Sequence, residues 1–211
     1  MPSIQTHRTA TGLLHCRLRN RGLSNVWMLS AGLILFLLPH LVRELGLREP
    51  LRRRLPSEGA YKGLYSLVAL AGLGLIILGK SRAPFIMIWE PPFELRYISH
   101  LLMIPAFMLV LLGNLPPSYL RRVLGHPMLL GVCLWGAAHL WANGDLASML
   151  LFGSFTVWAA FKFIALSRST SASARPPAWK WDITAVVAGL LGYVIISVFH
   201  GQLFGVGLNF V

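Results

Sequence analysis

His126-Pro127-Met128-Leu129-Leu130-Gly131-Val132-Cys133-Leu134-Trp135-Gly136-Ala137-Ala138-His139-Leu140-Trp141-Ala142-Asn143-Gly144-Asp145 is the stretch that decides how this chain folds. It is apolar enough to sit in a membrane, yet it carries a histidine near each end and closes on Asn-Gly-Asp. An imidazole inside a bilayer is costly and generally has a partner or a task. Two of them on one span point to chemistry inside the lipid.

The rest of the chain agrees with that reading. Of 211 residues, 55% are apolar and 12% charged, about half the charged fraction of an ordinary soluble domain. Five or six separate runs of roughly 17–20 apolar residues are long enough to cross a hydrocarbon core of about 30 Å. Lipid leaves no water to satisfy an open backbone, so each run is expected to be a helix. The expected fold is all-α, a polytopic transmembrane helix bundle of about six spans with no soluble catalytic core. The expected spans are 26–45, 63–79, 98–115, 127–142, 146–166 and 183–207. Pro50 and Pro56, then Pro84, Pro91 and Pro92, then Pro116-Pro117 break the chain between them. Asn143-Gly144-Asp145 reads as a tight turn with Asp145 as the N-cap of the fifth span. Trp89-Glu90-Pro91-Pro92 reads as an interfacial cap or a plain loop.

A net charge of +12, from 19 Lys and Arg against 7 acids, would suggest nucleic acid in a soluble protein. Here the basic residues flank the spans, no basic face of any size forms outside the bilayer, and no nucleic-acid partner is expected. The first, third and fifth loops carry 6, 2 and 4 Lys or Arg. The N-terminal tail and the second loop carry 4 and 3. The positive-inside rule then puts those three loops in the cytoplasm and both termini outside. The basic tail, residues 1–27, stands apart from a membrane domain at 28–210. Met28 begins a natural first span, so the expected start is Met28, which sharpens the charge bias to 12 against 3. Cys16 and Cys133 are not expected to pair.

Four histidines lie in or at the edge of spans: His40, His126, His139 and His200. His100 opens the third span and reads as interfacial. His139 is the strongest candidate. Helical spacing puts Val132, Trp135, Gly136 and Asn143 near it on one face. Gly136 and Gly131 are expected to leave room for a flat ligand, with Trp135 packed beside it. The alternative is a histidine hydrogen-bonded across helices. His126 precedes Pro127 and reads first as a helix-start residue at the membrane edge. For His200, beside Gly201, ligand and packing readings stand together. His40 sits near the end of the first span, before Arg43 and Glu44. Bis-histidine ligation of a haem between helices is the simplest chemistry this pattern supports. A carboxylate metal site and a catalytic triad lack the acids they need.

Several motifs, in order, carry a family resemblance. They are Tyr61-Lys62-Gly63-Leu64-Tyr65-Ser66, Trp89-Glu90-Pro91-Pro92, the His126–Asp145 stretch, Phe152-Gly153-Ser154-Phe155, and His200 with Leu203-Phe204-Gly205. Over nearly the whole chain the sequence resembles the NnrU family. That resemblance implies a bacterial inner-membrane protein linked to nitrogen-oxide (nitrite or nitric oxide) metabolism, with other membrane redox or denitrification proteins as partners beside membrane lipid. It also implies kinship with the zeta-carotene isomerases of plants, which use haem b. Their proposed axial histidines match His40 and His139 here, which makes these two the expected haem-iron ligands. The plant enzymes have a cysteine three residues before the second ligand. This chain has Gly136 there, and Cys133, one turn away on the same face, is a weak substitute.

Depth is in tension with that pairing. At about 1.5 Å per residue, His139 lies about 18–20 Å from the start of its span, while His40 lies about 8 Å from the end of a helix reaching Leu45. On depth alone His40 pairs better with His126. Three functions follow: haem-based chemistry on nitrogen oxides, haem-dependent isomerisation of a lipid-soluble polyene, and a non-catalytic membrane accessory role.

Overall fold

The structure, a computed structural model, describes residues 24–167, 175–206 and 208. The basic tail before residue 24, and with it His7, His15 and Cys16, lies outside the described residues, as does most of the Ser167–Pro177 linker. The elements in chain order are α1 (Ser24–Leu41), α2 (Arg48–Arg53), α3 (Glu58–Arg82), a 3-10 turn (Phe93–Leu95), α4 (Tyr97–Asn114), α5 (Tyr119–Leu124), α6 (Pro127–Ala142), α7 (Leu146–Ser167) and α8 (Trp179–Phe204). By length and composition α1, α3, α4, α7 and α8 are each able to cross a membrane, and α6 is a shorter apolar helix. Among the described residues no strand forms, and the chain is an all-α, multi-pass membrane protein.

The expected spans are all present, with ends moved by local chemistry. Ser57 caps α3, its Oγ accepting the Ala60 N–H at 3.0 Å, so this helix starts five residues before Gly63. It stops when Ala83 turns extended, with ψ 139°, as the residue before Pro84 must. The first helix differs most. It was expected to run to Leu45, but Pro39 has no N–H to donate and the backbone tightens into the 3-10 turn Pro39–Leu41. A Schellman motif then closes the path: Leu47 N–H donates to Val42 O at 2.9 Å and Gly46 N–H to Arg43 O at 3.1 Å. Gly46 takes the left-handed φ of 69° that this motif requires. His40 therefore lies where regular helix ends, not a turn and a half inside it.

By its contacts the chain forms two compact units, Met1–Trp89 with Asp145–Leu151, and Glu90–Gly144 with Phe152–Val211. In the first, α1 and α3 approach backbone to backbone. A Cβ on Gly72 would sit 2.6 Å from Phe36 N, and one on Gly79 would sit 2.5 Å from Leu29 N. Small residues at such crossings let transmembrane helices pack without a hydrophobic drive. Residues after α3 pair with the start of α7: Met87 bridges Asp145, and Leu146 N–H donates to Ile86 O at 2.8 Å.

In the second unit α4 is central, packing on both α6 and α8. Gly131 of α6 meets Ala106 and Val110 of α4, and Gly189 of α8 meets Met108. One end of this unit is pinned by polar contacts. The Asp182 carboxylate accepts the Tyr119 and Leu120 N–H groups at 3.1 and 3.2 Å, and Ser118 accepts from Arg121 N at 3.2 Å. Those contacts hold the start of α5, a short helix outside the six expected spans.

Candidate functional site

In the first unit the His40 ring lies 4.8 Å from Phe36 and edge-on to Tyr65 at 5.3 Å. Its Nδ1–H donates to the Phe36 carbonyl at 2.6 Å. A carbonyl only accepts, so the proton is on Nδ1 and the lone pair of the neutral ring is on Nε2.

His139, on α6 in the second unit, is prepared in the same way. Its Nδ1–H donates to Trp135 O at 2.8 Å. The ring stacks on Phe152 at 4.3 Å and 25° and lies 5.1 Å from Trp135. Trp135 in turn packs edge-on to Phe152 and Phe155 at 5.0 and 5.7 Å. Behind the imidazole, Asn143 closes the helix, its Nδ2–H donating to His139 O at 2.8 Å.

The expected room at Gly131 and Gly136 is absent. A Cβ on Gly136 would collide with Thr156 Oγ1 and sit 3.0 Å from Phe152 O, and one on Gly131 would sit 2.8 Å from Val110 N. These glycines let α4 approach α6 at Gly131 and α7 approach it at Gly136, so the space over each glycine is filled by a neighbouring helix. Cys133 does share the face of Gly136, its Sγ 3.8 Å from Thr156 O.

His126 occupies the N-cap position of α6 with Pro127 at the helix start, as expected, and makes no side-chain cap bond. Its ring is edge-on to Phe163 at 6.4 Å. His200 Nδ1–H donates to Val206 O at 2.6 Å, just past the end of α8, and the ring lies 4.9 Å from Phe204.

His100 lies in the first turn of α4. It is half-buried, with Nδ1 3.2 Å from the Tyr193 hydroxyl on α8, and Tyr193 is edge-on to Phe107 at 6.1 Å. His200 lies within electrostatic reach of both His100 and His139. Helices α4, α6 and α8 thus bring three histidines and a tyrosine toward one region of this unit. A signal was available, since Tyr193 and His200 are seven residues apart and share a face of α8.

Among the described residues no group of three or more His, Cys, Asp or Glu side chains is placed to hold a metal ion. A porphyrin asks less of the protein, because it supplies four nitrogens itself and needs only axial ligands. The chemistry of the donor set fits that demand. A ligating histidine generally donates its other ring N–H to a carbonyl or carboxylate, which fixes its tautomer, and His40, His139 and His200 all do so.

These features define a class: a multi-pass helical membrane protein whose span-edge histidines are set up to present Nε2. The NnrU protein family matches residues 28–208, and the chain belongs to that family. No curated protein and no solved structure matches it.

Proposed function

We propose that this NnrU-family protein is a bacterial inner-membrane haem b protein acting in nitrite or nitric-oxide metabolism. The observation that carries the reading is the His139 Nδ1–H bond to Trp135 O. It commits one ring nitrogen to the helix and leaves the other as a ligand on an apolar, aromatic-walled segment. His40, with the matching bond to Phe36 O, is the second ligand by family resemblance. Haem held there would supply a one-electron couple and an iron able to bind nitric oxide. The protein's part is to fix each imidazole by its carbonyl bond and to keep water from it with Phe152, Trp135, Phe36 and Tyr65.

A second ligand assignment has its own support. His200 belongs to the same compact unit as His139, lies within electrostatic reach of it and has the same tautomer. His126, with no carbonyl bond of this kind, is the weakest of the four.

Absorption spectra of the detergent-purified protein, oxidised and reduced, test the proposal after expression with ample haem supply. A Soret band is expected, lost in His139→Ala and kept in His7→Ala. Electron paramagnetic resonance of His40→Ala and His200→Ala then identifies the second ligand, since only its loss removes the low-spin bis-histidine signal. Protein with no Soret band overturns the proposal and leaves the non-catalytic accessory role. Polyene isomerisation is the less supported reading, because Gly136 replaces the cysteine of the plant enzymes and its site is closed by Thr156. Partners of this reading are other membrane redox or denitrification proteins. Its topology has the first, third and fifth loops in the cytoplasm and both termini outside.

A further inference from the structure

At one end of the first unit, α1, α2 and the start of α3 enclose an apolar cavity of about 220 Å³. Leu35, Leu38 and Val42 wall it from the first helix, Leu51 from α2, and Leu64 and Val68 from α3. Pro39 and Tyr65 also line it, so it borders His40, on which Tyr65 packs edge-on.

The charges around the rim are not balanced. From Arg43 to Lys62 there are six cations and three acids. Glu49 is shared by Arg52 and Arg53 at 2.7 and 3.3 Å, and Glu58 by Arg48 and Lys62 at 3.3 and 3.7 Å. The Arg52 and Arg53 hydrogen bonds hold the Glu49 carboxyl at about 2, so this acid is spent at any physiological pH. Arg43 and Arg54 are exposed and make no ion pair among the described residues. Arg43 directly follows Val42, and Arg54 directly precedes Leu55; both of those neighbours line the cavity.

An apolar slot at a span end, with two exposed arginines next in sequence to residues that line it, suits a phospholipid: acyl chain inside, phosphate at the rim. Basic pockets at the cytoplasmic ends of spans bind anionic headgroups, and guanidinium grips phosphate in bidentate fashion. We infer that this cavity is a site for one anionic phospholipid, its chain against Leu51, Leu64 and Val68 and its phosphate held by Arg43 and Arg54.

Native mass spectrometry of the purified full-length chain tests this. The protein is mixed with equal amounts of phosphatidylglycerol and phosphatidylcholine carrying identical acyl chains. Retention of phosphatidylglycerol is expected to exceed that of phosphatidylcholine several-fold. The Arg43→Gln/Arg54→Gln double variant is expected to erase the preference. Val68→Trp, which fills the slot, is expected to lower retention of both lipids. Leu64→Trp, at an already exposed position, repeats that test in case Val68→Trp disturbs folding, and circular dichroism checks the helices of each variant. Equal retention of both lipids by the unaltered protein overturns the inference. So does a preference that survives the Arg double variant, retention of both lipids that neither Trp variant lowers, or a preference that excess glycerol phosphate abolishes, since a free anion needs no slot.

Discussion

At the scale of single residues, Gly136 sets how closely α6 approaches α7, where Thr156 Oγ1 donates to Phe152 O at 2.8 Å and occupies the space a Cβ on Gly136 would need. Gly136→Ala therefore overpacks the crossing and is expected to cost about 1–3 kcal/mol, read as a lower thermal midpoint in detergent. Thr156→Ala removes the nearest obstacle, so the double variant is expected to recover part of that loss, a coupling that contacting residues show and distant ones do not. Additive losses would mean that α6 and α7 do not cross here. His139 itself was legible from its depth in an apolar run. Its Phe152 stack and the His100–Tyr193 contact were not, because both partners are distant in sequence.

Among elements, the turn between α6 and α7 shows how a cap becomes a tertiary lock. Asp145 was expected as an N-cap, and its Oδ1 accepts Ser148 N–H at 3.0 Å. The structure adds Lys80 from the end of α3, which donates to Asp145 Oδ1 at 3.2 Å and to Ser148 Oγ at 2.7 Å. Burial alone would raise the Asp145 carboxyl. The bonds from Ser148 and the charge and bond of Lys80 outweigh it and hold the group below its ordinary value. The unfolded chain then takes up this proton first, near pH 3.9. The stabilisation is present above about pH 4 and lost as pH falls through the lower folded value. Thermal midpoints are expected to fall between pH 5 and pH 3 more for the unaltered protein than for Asp145→Asn. Lys80→Met at pH 7 is expected to cost about 1–3 kcal/mol, since it leaves a nearly buried carboxylate without its cation. Identical pH profiles for the unaltered protein and Asp145→Asn would remove the lock from this account. Helices α2 and α5, six residues each, escaped the sequence reading because neither is long enough to show a period among prolines and charges.

For the whole molecule, the six apolar runs were legible because a bilayer imposes length and polarity on every span alike. Helix ends were less so, since caps such as Ser57 and the Gly46 turn act outside the apolar pattern. Orientation rests on charge alone: 12 Lys and Arg in the first, third and fifth loops against 7 in the N-terminal tail and second loop together. The structure extends α3, α7 and α8 over Lys62, Lys80, Lys162 and Lys180. At these helix ends Lys80 pairs with Asp145 and Lys62 with Glu58, and the count and its sign are unchanged. Single cysteines report the result in a chain whose Cys16 and Cys133 are replaced by serine. Phe85→Cys in the second loop and Val123→Cys in the third both sit at open positions, 74% and 82% exposed. An impermeant maleimide added to intact spheroplasts is expected to label Phe85→Cys and to reach Val123→Cys only after lysis. The reverse pattern would turn the molecule over. The rim of Arg43 and Arg54 would then face the outer leaflet, and the lipid site would draw its occupant from there.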